Sequence, residues 1–388
     1  MTGETANDAE ILVVGAGVAG CHVARELATD HEVTVVDRDG IAEGATALAA
    51  GLVAPTLYYG QYPDVARTAN AFFREFDGTA GFSFSERRRL DFVKPPDEAD
   101  AKAQAETLAE EGFPVEYRDV DVVASNHPQF DLADYAGAVL YGDTGWVDPF
   151  TYATALQSDA VDRGATFETG VEVTDLLVED GRVTGVDTTD GRYAADAVVV
   201  AAGWRTPDLL PEGVDLPVRP YRTQCVVLEP DQPLSETFPI GRLGDEHFYF
   251  RPEHNGDLLV GGGQHICEDP VGASGDADEE FKMEVAAFVP DLVEGFDTAG
   301  FVNGWAGIDA ATPDARPIVD RHPDGPDGLV VATGFNGLGV MLSPIVGPLV
   351  RWLVEGREGE RPVPHEPFAA ERFEDLSSAF ELRSTSDL

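Results

Sequence analysis

The most constraining feature of this 388-residue chain is a change of pattern near its start. Ile11, Leu12, Val13 and Val14 form a short β-rich run that stops at Gly15-Ala16-Gly17-Val18-Ala19-Gly20. Residues 21–28 then read as a helix, and 32–36 as a second strand ending at Asp37. A G-x-G-x-x-G string alone says little, but between a strand and a helix each glycine has a task. Gly15 permits the tight turn, Gly17 lets backbone approach a pyrophosphate, and Gly20 lets the helix pack closely on the strand. The helix start offers the phosphates unpaired N–H groups and the positive end of its dipole. Asp37 stands where a carboxylate accepts hydrogen bonds from ribose hydroxyls. The unit implies a bound dinucleotide, without choosing between NAD and FAD.

Later segments bear on that choice. Residues 45–52, Ala-Thr-Ala-Leu-Ala-Ala-Gly-Leu, are small, as needed where backbone passes beside a flat ring. Residues 198–204 form a buried-type strand ending at Gly203, and 328–334 form another ending at Gly334. From there 335–340 lead into a helix expected to start near Pro344. Two strand–glycine–helix junctions can bring two positive helix ends to one ligand.

In this order the segments resemble the D-amino-acid oxidase and glycine/sarcosine oxidase superfamily of FAD enzymes, from Ile11 to about Val354. The most specific pieces are the first glycine turn, A-A-G-L at 49–52, V-V-V-A-A-G at 198–203, T-P-D-A-R-P-I-V at 312–319 and A-T-G-F-N-G-L-G at 332–339. The resemblance implies an α/β fold in which a Rossmann-like FAD-binding domain is interleaved with a smaller α+β substrate domain on a mixed or antiparallel sheet. The FAD-binding domain is expected at 1–80, 144–215 and 304–365, the substrate domain at 81–143 and 216–303, and an acidic C-terminal tail at 366–388. Turn chemistry at Pro95-Pro96-Asp97-Glu98 and Pro211-Glu212-Gly213 supports the division, and 97–112 read as an acidic helix with a solvated outer face.

The same resemblance places FAD contacts on Gly15, Ala16, Gly17, Val18, Ala19 and Gly20, on Asp37 with Arg38, and on Ala45 with Thr46. Further contacts fall on Ala50, Gly51 and Leu52, on Val173, on Ala202 with Gly203, and on Gly334, Asn336, Gly337, Leu338, Gly339, Val340 and Met341. The implied reaction oxidises the C–N bond of an amine or amino acid, such as a D-amino acid, glycine or sarcosine, by hydride transfer to flavin N5. A dehydrogenase of a hydroxy acid or polyol is the alternative within enzymes, and an FAD-binding non-catalytic subunit is the alternative outside them.

For the substrate, strand 247–251 is where such enzymes commonly place a tyrosine and aromatic walls over the substrate. Alternation puts His247, Tyr249 and Arg251 on one face, and Phe248 and Phe250 on the other. Tyr249 and Arg251 are therefore candidates, with Asn336 of the last glycine turn. Glycine oxidase-like relatives hold the substrate carboxylate with an arginine after a W-A-G-L segment, but here the segment reads Trp305-Ala306-Gly307-Ile308-Asp309. Asp309 would repel an anion and suit a cationic amine, leaving Arg222 and Arg251 to hold a carboxylate, although a surface ion pair is the plainer role for Arg222.

Sarcosine oxidase-like relatives place an oxygen-assisting lysine in a stretch that here reads Asp257-Leu258-Leu259-Val260-Gly261. A dehydrogenase is expected over a fast oxidase, with O₂, a quinone or an electron-transfer protein as the open choices of acceptor. None of Cys21, Cys225 or Cys267 falls in the segment that carries a cysteinyl flavin, so the FAD is expected to be non-covalent.

Composition limits the partners. Asp and Glu number 71 against 26 Lys and Arg, a formal net charge of −45, which disfavours nucleic acid. Lys94, Lys102 and Lys282 are the only lysines, a balance resembling proteins of halophilic cytoplasm. Three scattered cysteines suggest neither a disulfide framework nor a metal site. The apolar run 11–20 is too short to span a bilayer, and the expected location is the cytoplasm.

Overall fold

A computed structural model describes residues 9–244, 247–357, 359–383 and 385. Its first layer is a six-stranded sheet in the order Ile318–Asp320, Leu329–Thr333, Ala197–Val200, Glu10–Val14, Glu32–Asp37, Thr166–Thr169. All neighbours run parallel except Ile318–Asp320, which is antiparallel to Leu329–Thr333. The central strands Leu329–Thr333, Ala197–Val200 and Glu10–Val14 are almost unbroken apolar runs because the sheet is covered there on both faces. Ile11 and Val13 pack under helices Val18–Leu27 and Gly339–Val354, while Leu12, Val14, Val198 and Val200 pack against Val173, Val183 and Val186 of a three-stranded sheet.

The helix after the last glycine turn starts at Gly339, not near Pro344, and keeps Pro344 and Pro348 inside it. Pro344 has no N–H for the carbonyl of Val340 four residues back. The buried hydroxyl of Ser343 donates to that carbonyl instead, at 2.8 Å.

A mixed eight-stranded sheet forms the second layer, in the order Gly300–Ala311, Arg219–Glu229, Leu258–Ile266, Phe248–Pro252, Ile240–Leu243, Arg89–Val93, Gly137–Tyr141, Val115–Asp119. The pair Ile240–Leu243 and Arg89–Val93 is parallel, and the other six pairs are antiparallel. Phe248, Phe250 and Val260 point into a core with Phe92, Phe130, Phe238 and helix Glu279–Leu292. The alternate residues face the first layer.

Strand Gly300–Ala311 belongs whole to this second sheet, so a boundary at 304 cuts a continuous strand and lies better beyond Ala311. The residues after 365 are more than a tail: Phe368 is fully buried with its ring stacked on Tyr59, and Ala370 is buried beside Ile318. Acidic helix Glu98–Glu110 turns only Ala105 and Leu108 inward. Among the described residues no helix is long and apolar enough to cross a membrane, and no cluster of His, Cys, Asp and Glu is arranged to hold a metal.

Candidate active site

The two layers meet around a cavity of about 390 Å³. One end is the first glycine turn. Gly15 has φ of 108°, and a Cβ there would stand 2.5 Å from the carbonyl oxygen of Ala201; a Cβ on Gly20 would stand 1.9 Å from the carbonyl oxygen of Gly15. The strand, turn and helix therefore close only with glycine at both places. Gly17, at the helix start, leaves open the space that a side chain would fill against Thr46. The Thr46 hydroxyl accepts from the Val18 amide at 3.1 Å. Asp37 accepts from the amides of Ala16 at 2.7 Å and Asp39 at 2.8 Å, which fixes its carboxylate at the cavity edge.

The turn before helix Gly339–Val354 forms a second wall. Asn336 takes φ of 54° there, and its side chain is engaged by the turn at 312: its carbonyl oxygen accepts from the Thr312 amide at 3.1 Å, and its NH₂ donates to the Thr312 hydroxyl at 3.0 Å. The Gly337 amide donates to a carboxylate oxygen of Asp309 at 2.7 Å, and the Ala310 amide donates to the other at 2.7 Å. Burial pushes the Asp309 carboxyl above its ordinary range, against those backbone hydrogen bonds.

The third wall is the face of the eight-stranded sheet. Thr223, Cys225, Tyr249 and Gln264 line it, and Tyr58 of helix Pro55–Tyr59 lines the cavity as well. Tyr249 lies across Gly261, where a Cβ would meet its Cζ at 2.1 Å. Burial raises the Tyr249 phenol well above its ordinary value, so the group stays protonated as a donor. The Cys225 sulfur lies 3.9 Å from the Tyr249 hydroxyl, and burial pushes its thiol up to about 11. Arg242 lines the cavity from the strand beside Tyr249, its direct cross-strand partner, and donates to Asp91 at 3.2 Å.

Glycine turns at two helix starts, a carboxylate at the end of the second strand, and a sheet facing the space between them form one cradle for a dinucleotide bearing a flat ring. Family comparison decides which. The model of FAD-dependent oxidoreductases called DAO matches residues 10–352. The chain belongs to that family. A D-amino acid dehydrogenase of Cereibacter sphaeroides is 30% identical, with 90% of this chain and 92% of that protein covered. A glycine oxidase of Geobacillus kaustophilus is 28% identical, with 90% and 93% covered. Among solved structures, L-proline dehydrogenase from P. horikoshii superposes with a TM-score of 0.86 at 25% identity, over 95% of this chain and 98% of that one. The G. kaustophilus glycine oxidase superposes at 0.81 and 26% identity, over 95% and 100%.

The fold thus brings together the residues that the DAO resemblance marks for FAD. Gly15, Gly17, Val18, Ala19, Asp37, Arg38, Ala45 and Thr46 line the cavity, as do Ala50, Gly51, Leu52, Val173, Ala202, Gly203 and 336–341. Ala16, Gly20 and Gly334 stand behind that lining and shape it. Tyr249 and Asp309 line the cavity as well, whereas the two arginines proposed for a carboxylate do not. Arg251 is buried, donates to the Ala50 carbonyl at 2.7 Å and lies over the Trp146 ring. Arg222 is buried on the opposite face of its strand, not at the surface, and donates to the carbonyls of Ser274 and Asp276 and to Asp278. The sequence did not mark Arg242 or Tyr58 as lining residues, and marked Cys225 only as a cysteine outside the flavin-attachment segment. Cys225 could have been found by alternation from Tyr221, while Arg242 sits in a four-residue strand, Ile240–Leu243, too short to show a period.

Proposed function

We propose that this chain is an FAD-dependent amino-acid dehydrogenase of a salt-rich cytoplasm, oxidising the C–N bond of its substrate and passing the electrons to an acceptor other than O₂. The observation that carries the reading is the sheet wall of the cavity. Tyr249 stands over Gly261 there, the neighbouring Leu259 packs against Ala50, and no lysine occurs among the described lining residues. Two of the relatives named above are amino-acid dehydrogenases, which agrees with it.

In this reading Gly17 and the start of helix Val18–Leu27 would hold the pyrophosphate, Asp37 the ribose, and residues 45–52 with the turn at 336–341 the flavin ring. FAD bound there supplies the hydride acceptor. Tyr249 orients the substrate by hydrogen bonding from its protonated hydroxyl, and its ring with Tyr58 keeps bulk water from the reacting carbon. The substrate amine loses a hydride and a proton to become an imine, which water hydrolyses to a carbonyl compound and ammonia or a smaller amine. Asp309, Asn336 and Arg251 act by holding backbone: the first two shape the turn at 336–338, and the third holds Ala50. The flavin is held non-covalently in this reading, since none of Cys21, Cys225 or Cys267 falls in the segment before Thr312 that carries a cysteinyl flavin in similar enzymes, and acid precipitation should release all the yellow colour.

Anaerobic mixing with amino acids, amines and hydroxy acids tests the reaction. Amino acids should bleach the flavin and hydroxy acids should not. Reoxidation of the reduced enzyme by O₂ should be slower than a typical turnover of about 10 per second, and faster with a quinone or dye. Bleaching by hydroxy acids alone, or reoxidation by O₂ at turnover speed, would refute it.

A further inference from the structure

We infer that Arg205 is the counter-cation for the pyrophosphate of FAD, an assignment that rests on the cofactor placement above. The charge around the cavity is the reason one is needed. Asp37, Asp39, Glu172 and Asp208 line it, in a chain with a formal charge of −45, and FAD brings two phosphates of the same sign. A helix start offers them only a partial positive charge. Three arginines line the cavity, Arg38, Arg205 and Arg242, and two are taken by carboxylates: Arg38 donates to Asp39 at 2.8 Å and Arg242 to Asp91 at 3.2 Å. Arg205 forms no ion pair among the described residues, and its Nε is buried without a hydrogen-bond partner.

Its reach follows from the backbone. Strand Ala197–Val200 lies beside strand Glu10–Val14, and the Ala201 amide donates to the Val14 carbonyl at 2.8 Å. The turns that follow these strands touch: a Cβ on Gly15 would stand 2.5 Å from the Ala201 carbonyl oxygen and 3.3 Å from the Ala202 Cα. The chain then winds into the 3₁₀ segment Gly203–Leu209, with the Arg205 amide donating to the Ala202 carbonyl at 3.2 Å. At about 2 Å of rise per residue, Arg205 starts roughly 6 Å from Ala202. Its guanidinium is therefore within a side-chain length of the first glycine turn, and it lines the same cavity as Gly15 and Gly17. The Trp204 ring steadies it, with Cζ 4.2 Å from the ring centroid. A stacked guanidinium covers its face and keeps its N–H edge for hydrogen bonds, and that planar fork matches a phosphate. Arg205 is also half-buried, which strengthens a charge-assisted bond to an anion.

The test sets ADP, which carries the pyrophosphate, against adenosine, which does not. Holoenzyme is diluted at fixed KCl until part of its flavin is released, and each compound is titrated in to displace more, read as recovered flavin fluorescence. In the wild type ADP should displace FAD at a much lower concentration than adenosine does. Arg205→Met should shrink that advantage tenfold or more and release FAD at correspondingly lower dilution. Arg205→Lys keeps the charge and should restore part of both. Thermal melts establish that each variant is folded; if the Met variant is not, Arg205→Gln, equally neutral, is read by the same ADP-to-adenosine ratio. A neutral variant that leaves the ratio unchanged, whether it weakens both compounds or neither, overturns the assignment while the placement of the pyrophosphate stands. A wild type in which ADP displaces FAD no better than adenosine overturns the placement and the assignment together, before any variant is made.

Discussion

Asp309 and Gly337 join two walls of the cavity: the carboxylate, on the long strand of the second sheet, accepts from the amide of the turn before helix Gly339–Val354 at 2.7 Å. Burial raises the pKa of this acid in the fold. A group shifted in that direction contributes stability fully below its unfolded pKa, near 3.9, and loses it as pH rises through the folded value. Asp309→Asn removes the titration. The stability of the wild type relative to the Asn variant should therefore fall as pH rises through the raised range and then level off. Paired thermal melts at fixed salt measure it, and a difference independent of pH would show that the carboxyl does not titrate there.

Tyr249 depends on Gly261 for its place, because a Cβ on that glycine would overlap its ring. Gly261→Ala forces the ring away, and overpacking of this kind costs about 1–3 kcal/mol. The variant should keep FAD yet reduce it at least tenfold more slowly with substrate. Tyr249→Phe keeps the ring and loses the hydroxyl, whose hydrogen bond is worth about 0.5–1.5 kcal/mol, so its effect should be a roughly two- to twelvefold weaker substrate saturation. Equal rates in Gly261→Ala and wild type would remove Tyr249 from the substrate's surroundings.

What the sequence made legible was local. The turn at 15–20 follows from a strand, three glycines and a helix within ten residues of one another, and the turn at 334–339 from the same grammar. The sheet wall was legible only where alternation runs far enough, as at 247–251. Arg242 was not, because its place on the cavity wall comes from two pairings, with Tyr249 across a turn and with the parallel strand Arg89–Val93 about 150 residues earlier. No local pattern encodes that second register. Arg222 was legible as a charge but not as a buried one: the segment 274–278 that surrounds it is held by contacts remote in sequence.

The run of small residues at 45–52 is gripped from the second sheet. Arg251 donates to the Ala50 carbonyl at 2.7 Å, and the indole N–H of Trp305 donates to the Leu48 carbonyl at 3.0 Å. Arg251→Met should therefore act on the cofactor more than on the substrate. A hydrogen bond from a charged group is worth about 1.5–3 kcal/mol, so FAD should bind roughly ten- to a hundredfold more weakly. Titration of the apoprotein with FAD, followed by quenching of flavin fluorescence, measures the change. Unaltered FAD affinity with weakened substrate saturation would return Arg251 to the substrate.

The surface predicts a strong response to salt. A formal charge of −45 leaves the few cations shared: Arg351 alone meets Glu26, Asp30 and Glu355. Such exposed pairs contribute little individually, so the repulsion among the remaining carboxylates dominates the surface electrostatics. That repulsion acts over a Debye length of about 10 Å at 0.1 M salt and about 3 Å at 1 M. The compact state brings the carboxylates closer than the unfolded chain does, and screening therefore favours folding. A gain of a few kcal/mol should appear as several degrees in Tm between low and molar KCl. NaCl should act similarly at equal ionic strength, because screening is indifferent to the cation. A Tm that stays constant across that range would identify an ordinary acidic protein and refute the assignment to a salt-rich cytoplasm.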